Sequence, residues 1–552
     1  MLGATGAVGV AGVGAGVGTS ALFSDEESFE NSSITAGTLD LRVDWETEYD
    51  GPGEVQTSAG TLDGEPAVLV DLGDVKPGDS GRWQFCFSVV DNPAYLWLGG
   101  ELSENDENGQ TEPEQGADLT DGSLGTDKGE LGDSIEATLS YEGGANITTG
   151  SLKSVLEELQ FGVPVDGDPN TAGRDCYPTA GGNCVVFEWE VPASVGNEIQ
   201  TDSVEFGLQF FAQQCRNNDG TTNPAIDTVV SASDSIQTAI DGASAGDTIG
   251  IEAGTYTEQV VVDKAVTVAG VGQGSTVIQA TSSLGSRFTF NGGSSHPVVS
   301  LESAGAELWN LTVDGDRRGS NYTDFFGVAA YNAGIRLGNV EVKNVTDDPV
   351  SNAQRGVGIV ALNDDTAART TVIDGCTVHD YQKTGIVGEG DGLTLCVSDS
   401  TTRGVGATST NGQNGIQISD VSQGVVVGNT VEDNYYDQNG FAASGIIAFN
   451  SDDVRIERNA LVNNNYGIGV SGAGDITARR NNIQGNDFGA VNFSSASFDA
   501  RENWWGASDG PSGGEADPVT NADATGSGDS VVSSGGADSI RWDPFAGSAF
   551  SL

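Results

Sequence analysis

Apolar and polar positions recur in step over the latter part of the chain. The triplets Gly385-Ile386-Val387, Gly415-Ile416-Gln417, Gly445-Ile446-Ile447, Gly467-Ile468-Gly469 and Gly489-Ala490-Val491 fall at spacings of 30, 30, 22 and 22. Asp399, Asn429, Asn459, Asn481 and Asn503 repeat the same four spacings. Two registers that lengthen together mean that a whole structural unit repeats. Within a unit, short apolar pairs alternate with polar residues, as in VRIERNALVNN (454–464). The 22-residue period predicts a coil of three short strands. Each strand would stack on its equivalent one coil away, about 4.8 Å distant, in parallel ladders. Inward Ile, Val and Leu would fill a continuous core. The Gly before each Ile is expected at a tight corner with positive φ. The Asn/Asp register is expected at another corner, where these residues tolerate the left-handed conformation. Stacked Asn amides are expected to hydrogen-bond from coil to coil. The residues by which a 30-residue coil exceeds a 22-residue one must bulge on one side. Such loops commonly form the binding face. A propeller blade, at about 40 residues, does not fit.

The preceding region has a different texture. Segments 38–45, 82–89, 185–191 and 203–211 alternate or run apolar between Gly, Pro, Asp and Asn clusters, as short strands do. Segment 151–161 has helical spacing at Leu152, Val155, Leu156 and Leu159. Residues 101–134 are polar and acidic and read as a long loop. The pattern predicts a β-sandwich with one inserted helix. At the start of the repeats, Asp234 is expected to N-cap a short helix that closes the core, with Ile236, Ala239 and Ile240 inward. Strands near 248–251, 259–262 and 266–268 follow. Trp504 and Trp505 are expected to plug the other end, and residues 540–545 to add a last strand. The chain is therefore all-β, with three parts: 1–23, a signal-like segment; 24–226, the sandwich; and 227–552, a right-handed parallel β-helix with its capping helix and tail.

Two resemblances bear on these parts. The run Ala21-Leu22-Phe23-Ser24-Asp25 through Ile34-Thr35-Ala36-Gly37-Thr38-Leu39-Asp40-Leu41 resembles the start of the camelysin/TasA matrix-protein family. That resemblance implies export, a jelly-roll sandwich, and self-assembly through an N-terminal strand. The opening SIQTAI…GDTI…AGTYTE (235–258) and the closing NWWG (503–506) resemble the pectin-lyase-like parallel β-helix proteins. This second resemblance implies the fold but no single reaction. That superfamily includes polysaccharide lyases, hydrolases and epimerases as well as non-catalytic surface proteins.

Charge narrows the setting. Eighty acidic residues face 23 basic ones, a net charge of −57. Such self-repulsion is largely screened near 1 M salt, where the Debye length is about 3 Å. The composition resembles that of proteins from salt-loving archaea. No basic stripe is available to neutralise phosphate, so nucleic acid and anionic lipid are excluded as partners. Residues 1–22 are uncharged, rich in Gly, Ala and Val, and end in small residues, as an export signal does. No other stretch is long and apolar enough to predict a membrane span. The six cysteines, Cys86, Cys176, Cys184 and Cys215, then Cys376 and Cys396, form an even number in each half. They predict disulfides in an oxidising compartment. Sequons at Asn31, Asn146, Asn310, Asn321, Asn344 and Asn492 are candidate glycosylation sites.

Candidate chemistry is sparse. His379, Asp380 and Lys383 lie together in VHDYQKTGI (378–386), and Asp433 lies in a neighbouring coil. His379 would be a base, and Lys383 would hold a uronate carboxylate. Tyr381, Asn411, Gln413, Asn414, Tyr435 and Tyr436 are candidate ligand contacts. A glycosidase needs two carboxylates roughly 5–9 Å apart, which Asp364, Asp365, Asp380 and Asp433 would supply. Asp166-Gly167-Asp168 and Asp314-Gly315-Asp316 are the only hints of Ca²⁺, and neither forms a complete loop. No zinc set and no other cofactor are expected. The leading expectation is a secreted or surface-attached, halophilic, non-catalytic protein whose β-helix binds glycan or a matrix partner. The alternative is an extracellular lyase or hydrolase acting on acidic polysaccharide.

Overall fold

The computed structural model describes residues 39–552 apart from 52, 54, 64–71, 110, 112–113, 115–128, 180–181, 222, 291, 422, 439–442, 452, 473, 495, 535–538 and 551. The first part is a two-sheet antiparallel sandwich. One sheet orders Gln56–Leu62, Asp40–Asp50, Ser80–Val90, Cys184–Glu190, Glu136–Tyr141 and Asn146–Ser151. The other orders Val163–Val165, Ala94–Asp106 and Ser203–Gln214. Alternation in RWQFCFSV (82–89) sends Trp83, Phe85, Phe87 and Val89 into the core. There the Trp83 ring lies 5.4 Å from Phe187 and 5.5 Å from Phe206, joining the two sheets. Ser151 caps the helix Leu152–Leu159 by accepting from the Ser154 amide. The helix buries Leu152, Val155, Leu156 and Leu159, the four positions its spacing predicts. The long loop expected at 101–134 starts later. Residues 101–106 continue a strand, paired from Glu101↔Gly207 to Asp106↔Ser203. Partner backbone, rather than side-chain polarity, decides there.

Residues 228–541 form the parallel β-helix. Its strands gather into one 19-stranded and one 12-stranded sheet. Ile359, Ile386, Ile416, Ile446 and Ile468 stack in successive coils, each essentially inaccessible. Helix Ile236–Gly242 covers the open end with Ile236 and Ile240 buried and Ala239 packed on the core. Its cap is Ser235, not Asp234. The Ser235 hydroxyl accepts from the Thr238 amide, whereas Asp234 accepts from Ser231 and closes the preceding turn. Trp505 is fully buried at the far end and Trp504 only partly, so one indole rather than two is the plug. The last strand is the short Ile540–Arg541.

The two sequence registers have different physical causes from those expected. Gly385, Gly415, Gly445, Gly467 and Gly489 lie inside strands, without positive φ. A Cβ on Gly385, Gly415, Gly445 or Gly467 would stand only 2.6–2.8 Å from the carbonyl oxygen of the equivalent glycine in the next coil. Close backbone approach, not a corner, excludes side chains there. The amide ladder is real. Asn429, Asn459 and Asn481 each donate Nδ2 to the Oδ1 of the next Asn, ending at Asn503, at 2.9–3.0 Å. Ser400, not Asp399, stands in line with these residues, since Ser400 N donates to Asn429 Oδ1. Asp399 occupies the left-handed corner just before, at φ 45°, the place held later by Arg458, Arg480 and Glu502. A second ladder was not anticipated. Asn434 donates to Asn464, Asn464 to Asn486, and Asn486 to Asp529.

Disulfides Cys86–Cys184 and Cys176–Cys215 tie the sandwich. The expected Cys376–Cys396 bridge is not formed. Cys396 alternates with the inward Leu395 and Val397 and therefore faces out of the coil, whereas Cys376 is buried in the core. Among the described residues no helix is long and apolar enough to cross a membrane.

Candidate functional site

The turns that lead into the 12-stranded sheet carry most of the candidate residues. His379 closes strand Thr377–His379 and Asp380 follows at φ 51°. His379 Nδ1 lies 2.9 Å from Asp380 and Nε2 lies 3.1 Å from Glu341. Glu341 also accepts from Lys343 Nζ at 2.8 Å and Thr312 Oγ1 at 2.6 Å. Hydrogen bonding to Asp380 and then to Glu341 raises the imidazole pKa against the effect of burial. Burial alone would raise Glu341, but its hydrogen bonds from Lys343, Thr312 and His379 hold it below the usual range. His379 thus lies between two carboxylates that favour its charged form. The free base expected of it is not what the geometry provides.

Lys383 points elsewhere. Its ammonium donates to Gly412 O at 2.9 Å, and burial lowers its pKa. Around it the long turns knit together. Asn411 is buried, donates to Ala353 O and accepts from Gln354 at 2.9 Å. Gln413 is buried between Tyr381 O and the Val405 amide. Asp347, also buried, takes Arg355 through both oxygens and binds Gln382 as well. Tyr381 is fully buried, with its hydroxyl donating to Asn434. Asn414 accepts from Ser444 N. These five candidates, Tyr381, Asn411, Gln413, Asn414 and Lys383, hold the turns in place. Tyr435 and Tyr436 are partly exposed, Tyr435 hydrogen-bonding Asp487. Asp433 sits at a left-handed corner, φ 61°. Asp364 and Asp365 lie past the opposite end of the sheet's strands, where Asp364 accepts from Tyr331 and Asn332 and Asp365 pairs with Arg369. The fold therefore does not bring them to Asp380 or Asp433.

Of the sequon residues, Asn146 and Asn321 are exposed. Asn310 and Asn344 are half-buried, and Asn344 donates to Asp314. Asn492 is fully buried, its amide held by Ala496 O and Ser539, so it is closed to glycosylation. Asn31 lies outside the described residues. In the two Asp-Gly-Asp segments the first Asp accepts from the backbone of the third residue, Asp166 from Asp168 N and Asp314 from Asp316 N. Each closes a turn, as Asp commonly does.

An aromatic face, overlooked in the sequence, crowns the outer side of the 12-stranded sheet. Ile446, Ala448 and Ile468 point inward, so Ile447 and Phe449 point out. Phe449, Phe488 and Phe493 remain 42%, 37% and 41% exposed. Tyr466 packs on Phe488 at 5.5 Å and Phe493 at 5.6 Å. Asp487 lies close enough to raise the Tyr466 pKa, after the larger effect of burial. Phe449 falls on the outward parity of its strand, but Tyr466 and Phe488 share the parity of the inward Ile468 and Ala490, so alternation alone does not mark this face.

The fold and these faces define the class: a right-handed parallel β-helix protein with an antiparallel β-sandwich before it. Residues 326–504 match the family described as "Right handed beta helix region". Among solved structures, a variant of the periplasmic alginate epimerase AlgG is similar at 15% identity and a TM-score of 0.33, over 58% of this chain and 84% of that one. The pectin methylesterase PemA from Erwinia chrysanthemi is similar at 12% identity and a TM-score of 0.22, over 45% and 78%. A pectin methylesterase from Yersinia enterocolitica is similar at 15% identity and a TM-score of 0.21, over 48% and 79%. No curated protein matches the chain. The residues matched by the family description all lie in the β-helix, and nothing in these comparisons supports the camelysin/TasA resemblance. That resemblance rests on residues 21–41, nearly all outside the described part.

Proposed function

We propose that this protein acts outside the cytoplasm as a non-catalytic glycan-binding protein, with the β-helix as a rigid rod presenting the aromatic face. The exposed rings Phe488 and Phe493, packed about Tyr466, carry this reading. Sugar rings offer flat C–H faces that pack on aromatic rings, and neighbouring carboxylates accept their hydroxyls. Asp487 lies beside this face. The overall charge of −57 favours a neutral glycan over a uronate polymer. The sandwich disulfides agree with an oxidising compartment. The test is binding to neutral and uronate polysaccharides in 3–4 M salt. Phe488→Ala with Tyr466→Ala should weaken binding of the neutral polymer about fivefold to 150-fold, given about 0.5–1.5 kcal/mol per ring contact. Undiminished affinity in the double variant would refute the assignment.

One observation favours a second reading, a polysaccharide lyase or hydrolase. The half-buried Lys383 has a lowered pKa on the long-turn side. In a lyase a neutral amine would take the C5 proton as the C4–O bond breaks and the C4=C5 double bond forms. Appearance of unsaturated uronates or reducing ends, lost in Lys383→Ala or Asp380→Ala, would place this reading first.

A further inference from the structure

Five of the six sequons fall within the described residues, and they differ in how much of the motif reaches solvent. A transferase that glycosylates Asn must reach the carboxamide nitrogen and also read the hydroxyl two residues on. On a folded chain both positions therefore have to be open. In 310–312, Thr312 is fully buried and donates to Glu341. In 344–346, Thr346 is buried and Asn344 donates to Asp314. In 492–494, Asn492 is fully buried and accepts from the Ser494 hydroxyl. In 146–148, Asn146 is exposed, but Thr148 is buried and donates to Glu158.

Asn321-Tyr322-Thr323 is different. It lies where the turn Gly319–Asn321 enters strand Asp324–Tyr331. Asn321 and Thr323 are both exposed, and Tyr322 between them is buried. Tyr322 is extended, at φ −130° and ψ 155°, so its two neighbours emerge on the face opposite its ring. The ring is held in place. It stacks on His296 at 4.7 Å and on Phe325 at 5.6 Å, and its hydroxyl accepts from the Leu284 amide at 2.8 Å. The Tyr322 carbonyl accepts from Arg355 at 2.6 Å. The middle residue is thus anchored in the rod, while the carboxamide and the hydroxyl are presented together to solvent.

We propose that Asn321, alone among these five, is N-glycosylated on the folded chain. The donor is a saccharide linked through phosphate to a lipid. Asn321 Nδ2 bonds to the anomeric carbon of the donor as the bond from that carbon to phosphate oxygen breaks. The phosphate leaves with the bonding pair, and the nitrogen gives up one proton. Modification here requires the location outside the cytoplasm proposed above, but not the glycan-binding role. The saccharide stands at the start of its strand, four coils before the strand that carries Phe449, about 19 Å along the rod. It leaves the aromatic face open.

Glycopeptide mass spectrometry tests this on the full chain, isolated from its native cells and from their medium. Trypsin releases residues 319–336 with Asn321 as the sole sequon. This peptide should carry a saccharide mass, lost in Asn321→Gln and also in Thr323→Ala, which keeps the acceptor nitrogen. The modified fraction at Asn321 should exceed that at Asn146 at least about tenfold, since Thr148 must first leave its hydrogen bond to Glu158. Asn310, Asn344 and Asn492 should be bare. A bare 319–336 peptide, or equal modification of the buried sequons, would overturn the assignment. If the bare peptide comes from exported protein, the glycan-binding reading stands. If the chain is confined to the cytoplasm, both fall.

Discussion

The rod and the sandwich solve one problem in opposite ways. In the later coils of the rod, buried Asn side chains hydrogen-bond the same residue of the next coil. Asn459, for instance, donates to Val426 O, Glu457 O and Asn481 Oδ1 and accepts from the Asn429 amide. In the sandwich, contacts are individual: the Trp83–Phe187–Phe206 stack, the Tyr49–Asp79 hydrogen bond and two disulfides. A repeated solution can be extended by adding coils. An individual solution must be closed by specific partners or covalent ties.

The sharpest way to break this contrast is to interrupt a ladder. Asn459→Ala removes the two N–H groups shared among three acceptors and strands the Asn429 amide. It should cost about 3 kcal/mol or more, read as a lower denaturation midpoint for the rod. Replacing Cys86 and Cys184 by Ser should lower sandwich stability by about 2–4 kcal/mol and leave the rod transition in place. A joint shift of both transitions would show that the two parts unfold as one unit. Gly445→Ala sets a methyl 2.8 Å from the rigid Gly467 carbonyl. It should cost about 1–3 kcal/mol by overpacking, measurable by thermal melts. The smallest effect is expected at His379. Its pKa is raised by hydrogen bonding to Asp380, then Glu341. Its contribution should be complete below its ordinary value and vanish as pH rises through the raised one. Melting temperatures of wild type and His379→Asn should therefore differ in mild acid and converge in alkali.

Legibility followed the same division. Spacings of 30 and 22 announced the coil because the residues that pair are copies of one another. The ladder from Asn429 to Asn503 was readable, and so was the helix with Leu152, Val155, Leu156 and Leu159. The second ladder through Asn434, Asn464 and Asn486 carried the same kind of spacing and was overlooked. For the candidate site, the sequence named His379, Asp380 and Lys383 as neighbours. It could not show that the imidazole turns to Glu341, 38 residues away, while the ammonium turns to Gly412.

The chain alone determined the parallel coil, its apolar core and its capped ends, because those depend on residue type at a fixed period. Tertiary structure decided the rest. It placed the recurrent glycines within strands, where neighbouring carbonyls leave no space for a Cβ. It kept Cys376 and Cys396 apart by strand parity, and it paired Lys153 with Asp374 and Arg336 with Glu157 where sandwich meets rod. Orientation and burial arise only when distant segments meet, and no local pattern encodes them.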